Sequence, residues 1–235
     1  MCSKGDWLSE LFVARDGWAQ HDFSISESSV NLEGSVPVAE KWEHGIKLNL
    51  DKCKELGMSN HWVDIFENGT DLMLEKLPPI RNYLDNYSSA TDPSVVNVTD
   101  SMIRDQINKG VVMDEASDVV LNHPLGLVEK KREPGYTGPP KYRVITDAHA
   151  SGLNDCIRDR VFSLPTIDTV VLGTKIKWVL AKYDLKNGFY HIGVKASQAN
   201  LLGVKKVFGE GYCTYRFLCF GIKCAPFIFQ GSMHG

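Results

Sequence analysis

Several things are missing from these 235 residues. No apolar run is long enough to cross a bilayer. The opening Met1-Cys-Ser-Lys-Gly-Asp-Trp7 lacks the basic-then-apolar pattern of a secretory signal, so an intracellular protein, cytoplasmic or nuclear and without membrane contact, is expected. None of the six cysteines forms a C-x-x-C pair or lies at metal-ligand spacing from a histidine. Scattered reduced thiols are expected instead of zinc or disulfides. Internal repeats and low-complexity tracts are absent, and no two aspartates are adjacent anywhere in the chain.

What is present fits a globular protein with a sizeable core: 43% hydrophobic and 23% charged residues. The net charge of −3 hides a strong asymmetry. Residues 130–235 carry 16 Lys and Arg against 7 Asp and Glu, a net of +9, whereas residues 1–129 carry 10 against 22, a net of −12. A basic half suits a phosphate backbone, although solvated lysines would give the same count.

The pattern along the chain predicts an α+β domain, an antiparallel sheet with helices. Lys47 to Leu56 reads as a helix, and Trp62, Ile65, Phe66 and Leu72 as core anchors. Tyr87 to Asn97 reads as a loop or linker, which divides the chain into an N-terminal extension, 1–97, and a domain, 98–235. The spacing predicts a helix over Ser101–Gly110. Strands are expected at Leu125–Lys131 and Lys141–Thr146, joined by a turn-rich basic tip. Further strands are expected at Trp178–Asp184, Phe189–Val194, Leu201–Val207 and Tyr212–Phe217. Helices should start near Pro165 and Pro226, where proline is tolerated.

Asp184 closes an apolar strand. A carboxylate there suits magnesium, which binds through one or two carboxylates plus substrate phosphates, or it can simply cap the next turn. Asp184-Leu-Lys-Asn-Gly-Phe-Tyr-His-Ile192 resembles the first catalytic motif of reverse transcriptases, the RNA-directed DNA polymerases of retroelements. Leu218-Cys-Phe-Gly-Ile-Lys-Cys-Ala-Pro-Phe-Ile-Phe-Gln230 is similar to that family's second motif, with Cys219 where proline is usual. The resemblance extends over about residues 100–233 and implies a right-hand polymerase's fingers and partial palm. A shorter likeness of His61 to Thr70, with Pro78-Pro79, is to the leader of tyrosine-recombinase-type retroelements; an LTR-type retrotransposon is the other possibility.

The resemblance implies a role for each matched residue. Asp184 would be the catalytic metal ligand. Phe189, five residues on, would lie under the incoming sugar and exclude a 2′-hydroxyl. Phe220 and Gly221 would face the nucleotide, and Arg143 would contact the triphosphate, as a guanidinium fork suits phosphate oxygens. Lys130 would be a second triphosphate contact or a solvated hairpin tip. Asp147, Asn154, Lys223, Pro226 and Gln230 would lie toward template and primer. Asp147 and Leu153-Asn154 are two residues further apart than usual, and the basic residue that normally follows the aspartate is absent.

The implied function is template-directed nucleotidyl transfer to a primer end, with Mg2+ as cofactor and an RNA or DNA template-primer and dNTP as partners. Two-metal transfer needs several carboxylates. The family's aromatic-x-Asp-Asp motif is missing, and the sequence stops where the second-motif helix is expected. A truncated chain, inactive alone, is therefore expected. The alternative is a non-enzymatic transposon remnant that only binds nucleic acid.

Overall fold

The computed structural model describes residues 49–79, 84–114, 116–132, 134–164, 166–175, 178, 185 and 187–234. They fall into two compact units. In one, spanning residues 161–164, 166–175 and 178, Ile167–Gly173 is helical with Asp168 in its first turn. Pro165, the expected helix start, and all of the expected strand Trp178–Asp184 except Trp178 lie outside the described residues.

The other unit begins with helix α1, Leu50–Glu55, where the Asn49 side chain accepts a hydrogen bond from the Lys52 amide at 2.9 Å and so caps the first turn. Helix α2, Asn60–Asn68, buries Trp62, Val63 and Ile65 on one face. It stops at Gly69, whose φ is +87° and whose backbone presses on residue 194: a Cβ there would lie 2.7 Å from the Val194 carbonyl carbon. Only glycine fits such an approach. The following strap, residues 70–74, bridges Val194 in parallel through Thr70 and Ile157 in antiparallel through Leu74. Leu72 and Leu74 on it are fully buried.

Helix α3 is Ser88–Thr91, and helix α4 runs Val96–Asn108. The boundary expected at residue 97 thus falls inside α4, and the strap packs into the same unit as the residues that follow. The helix starts earlier than the expected Ser101 because the turn at Asp92–Ser94, capped by the Asp92 carboxylate, feeds straight into it. Chain reversal at Gly110, φ +70°, leads to β1, Val112–Met113.

Strands β2, Leu125–Glu129, and β3, Tyr142–Thr146, form the expected hairpin, antiparallel and in register Val128↔Arg143 and Leu125↔Thr146. Strands β4, Gly203–Lys205, and β5, Tyr212–Tyr215, join β1 in a second antiparallel sheet of order β1-β5-β4. Helix α5 of this unit is Ala196–Ala199, and helix α6, Ala225–His234, starts one residue before Pro226. The architecture is α+β with antiparallel sheets.

The expected strand Phe189–Val194 is instead a 3₁₀ turn, Gly188–His191, followed by isolated bridges from Gly193 to Phe217 and from Val194 to Thr70. Asn187 sits in the left-handed region at φ +57°, and a Cβ at Gly188 would meet the Phe229 ring at 2.6 Å. That tertiary contact overrides an alternating apolar pattern.

The core is built from Leu72, Leu121, Leu153, Ile192, Leu202, Leu218 and Ile228, all fully buried, each contributing roughly 1.5–3 kcal/mol. His123 is fully buried with them. Its Nε2 lies 2.8 Å from the Leu201 carbonyl oxygen and so donates there, and its Nδ1 lies 2.6 Å from the Ser151 hydroxyl. Burial pushes the His123 pKa down to about 4.

Candidate functional site

Alternation along the hairpin puts Leu125, Leu127, Val144 and Thr146 inward, where all four are buried. The opposite face carries Val128, Lys130, Lys141 and Arg143, all exposed. Lys130 continues the ladder, its amide donating to the Lys141 carbonyl at 2.7 Å. The Lys141 ammonium stands 4.6 Å from the Tyr136 ring centre. Among the described residues, neither Arg143 nor Lys130 has a carboxylate partner. The two sequence-predicted triphosphate cations therefore share one solvent face.

Phe220 lies on the loop between β5 and α6. The Arg143 guanidinium carbon stands 4.9 Å from its ring centre, a cation–π contact. On the same ring, Phe189 approaches to 5.0 Å at 56° and Tyr190 to 6.1 Å edge-on. Phe229 of α6 closes the far side of Phe189 at 5.6 Å and 86°. Arg143, Phe189 and Phe220, from widely separated stretches, thus meet as one half-exposed cation-and-aromatic cluster. Sequence reading missed Phe229 and Tyr190, whose only signal was their place in the two motifs.

The loop carrying Phe220 is tightly held. The Phe220 carbonyl accepts from the Thr146 amide at 3.1 Å and the Thr146 hydroxyl at 2.6 Å. Gly221 has φ +113°, and a Cβ on it would fall 1.9 Å from the Thr146 carbonyl oxygen. Its glycine is demanded by the chain's own strand β3, whereas approach to a nucleotide was the reason expected. The Asn154 amide spans the same loop: Nδ2 donates to the Gly221 carbonyl at 2.8 Å, and Oδ1 accepts from the Lys223 amide at 2.9 Å.

Asn154 and Asp147, expected toward template and primer, both spend their polar atoms inside the chain. Asp147 accepts from the Tyr87 hydroxyl at 2.5 Å and from the His149 and Ala150 amides at 3.0 and 2.9 Å. Partial burial pushes its carboxyl up, but these hydrogen bonds outweigh it and hold the group below the usual carboxylate range. The Lys223 ammonium donates to the Ile157 carbonyl at 3.1 Å and pairs with Asp159 at 2.5 Å. Pro226, exposed, and Gln230, half-buried, lie one turn apart on α6.

Asp184 lies outside the described residues. Among the described residues, no three His, Cys, Asp or Glu side chains gather where they could hold a metal ion. Among the same residues, no helix is long and apolar enough to cross a membrane.

No family model matches the chain, and no curated protein matches it. Many solved structures match the chain, and three of them follow. A selenomethionine-labelled mutant of the prototype foamy virus protease-reverse transcriptase gives TM-score 0.47 at 19% identity, covering 71% of this chain and 20% of that one. The native prototype foamy virus enzyme gives 0.48 at 15%, covering 81% and 25%. A foamy viral protease-reverse transcriptase in complex with double-stranded DNA gives 0.47 at 18%, covering 83% and 36%. The chain spans between a fifth and about a third of the length of these structures.

Proposed function

We propose that this chain forms the nucleotide- and template-facing part of a reverse-transcriptase-type polymerase from a retroelement. The carrying observation is that Arg143, Phe189 and Phe220, which come from three separate stretches of the sequence, meet in one cluster. The chemistry suits a deoxynucleoside triphosphate. The guanidinium on the exposed face of β3 would take phosphate oxygens, with Lys130 along the same face. The rings of Phe189 and Phe220 would offer a flat apolar wall to a sugar and base. Asp184 is the proposed magnesium ligand on this reading. The 235 residues contain no Asp-Asp pair, so the chain alone is proposed to bind nucleotide and nucleic acid without transferring nucleotides.

The test is fluorescence anisotropy of a labelled RNA-template, DNA-primer duplex bound by the full chain, titrated with the complementary dNTP. Arg143→Ala should weaken dNTP-dependent stabilisation of the complex roughly tenfold or more, the loss expected for a charge-assisted hydrogen bond. A dNTP response unchanged from wild type in both Arg143→Ala and Phe189→Ala would overturn the reading. Magnesium-dependent primer extension by the purified chain would overturn its second half.

A further inference from the structure

The motifs leave Thr146 unused, yet it holds the cluster together. Its side chain is buried at 3% exposure, at the end of the strand that carries Arg143. Two of its donors, the amide and the hydroxyl, converge on the single Phe220 carbonyl. Its own carbonyl oxygen fills the space beside Gly221. The loop can therefore move neither away from β3, against two hydrogen bonds, nor toward it, against backbone.

Cys219 completes the arrangement. Its Sγ lies 3.4 Å from the Thr146 Oγ1. The hydroxyl proton is directed to the Phe220 carbonyl, which has no proton to give, so the thiol donates to Oγ1. Burial pushes the Cys219 thiol up to about 12, which keeps that proton in place. A proline here would have no such donor, so the departure from the family pattern has a local use.

Resting on the nucleotide-binding reading above, we propose that Thr146 is a positioning residue. Its hydroxyl fixes the Phe220 ring against Phe189 and Arg143, and so sets how sharply the site separates deoxynucleotides from ribonucleotides. Thr146 and Arg143 belong to one five-residue strand, so the residue that holds the Phe220 carbonyl and the one that stands over its ring share β3. A methyl in place of the hydroxyl would sit about where Oγ1 now lies 2.6 Å from the carbonyl oxygen. That is inside normal carbon–oxygen contact, so the loop has to shift.

The experiment uses the full chain with 4-fluorophenylalanine at position 220. It compares wild type, Thr146→Val and Thr146→Ser by 19F NMR and by affinity for dCTP and CTP on a primer-template. Thr146→Val should shift or split the fluorine signal and lower the dCTP/CTP affinity ratio about fivefold, the effect of one lost hydrogen bond. Thr146→Ser should restore both. An unmoved signal in Thr146→Val overturns the proposal, whatever the nucleotide affinities. So does a moved signal with an unchanged ratio. A wild-type chain that takes up neither nucleotide overturns the proposed function, and the selectivity role falls with it.

Discussion

The loop Leu218–Lys223 and the outer face of the β2–β3 hairpin contribute adjacent residues to one cluster, yet they are built on opposite terms. The loop is over-determined. Its carbonyls at Phe220 and Gly221 and its amides at Leu218 and Lys223 are all hydrogen-bonded within the chain. The hairpin face exposes Val128 at 47% with Lys130, Lys141 and Arg143 around it. Buried residues carry the stability, while exposed cations without carboxylate partners among the described residues are available to a ligand. Substitutions in the loop should therefore cost folding, and substitutions on the hairpin face should cost binding.

Gly221→Ala is the hardest blow to the loop. It forces a Cβ onto the Thr146 oxygen at a positive φ, and should destabilise by more than about 3 kcal/mol, read as a fall in the urea midpoint. A near-wild-type midpoint would mean that the loop is not over-determined.

Acid should probe the core beneath. His123 has a pKa of about 4 in the folded chain against an ordinary 6.5. The unfolded chain therefore binds the extra proton between those values. This contribution is complete above pH 6.5 and is lost as pH falls toward 4. The loss is on the order of 3 kcal/mol, read from urea midpoints at pH 7.5 and 4.5. His123→Gln should flatten that part of the pH dependence.

Asn154→Ala leaves the Gly221 carbonyl and Lys223 amide without their partner, for a loss of about 1–3 kcal/mol in the same assay. Arg143→Ala, on the other side of the comparison, should change stability by less than about 1 kcal/mol while removing most dNTP response. Lys130→Ala should leave stability within about 0.5 kcal/mol and weaken nucleic-acid binding the least. If Arg143→Ala unfolds the chain as Gly221→Ala does, the division between the two regions fails.

The hairpin was legible in the sequence because period-two alternation runs through Leu125, Leu127, Val144 and Thr146 and because turn residues separate the strands. The start of α6 was legible from Pro226. The 3₁₀ turn at Gly188–His191 was not, since the Phe229 ring that shapes it lies some forty residues away in sequence. The strap at residues 70–74 carries no periodic signal; its pairing depends on Gly69 meeting the backbone of Val194. For Asn154 and Gly221 the motif match found the residues, but long-range partners decide what they do. His123 gave no sign of its burial, because a lone histidine beside Pro124 reads equally well as a surface turn.

The central claim is that a nucleotide lies against Phe189 and Phe220 beside Arg143. Photocrosslinking with 5-iodo-dUTP on a matched primer-template, followed by peptide mapping, tests it most directly. The adduct should fall on Phe189 or Phe220 and disappear in Arg143→Ala. An adduct confined to peptides that contain neither ring, or one of equal yield in Arg143→Ala, would contradict it.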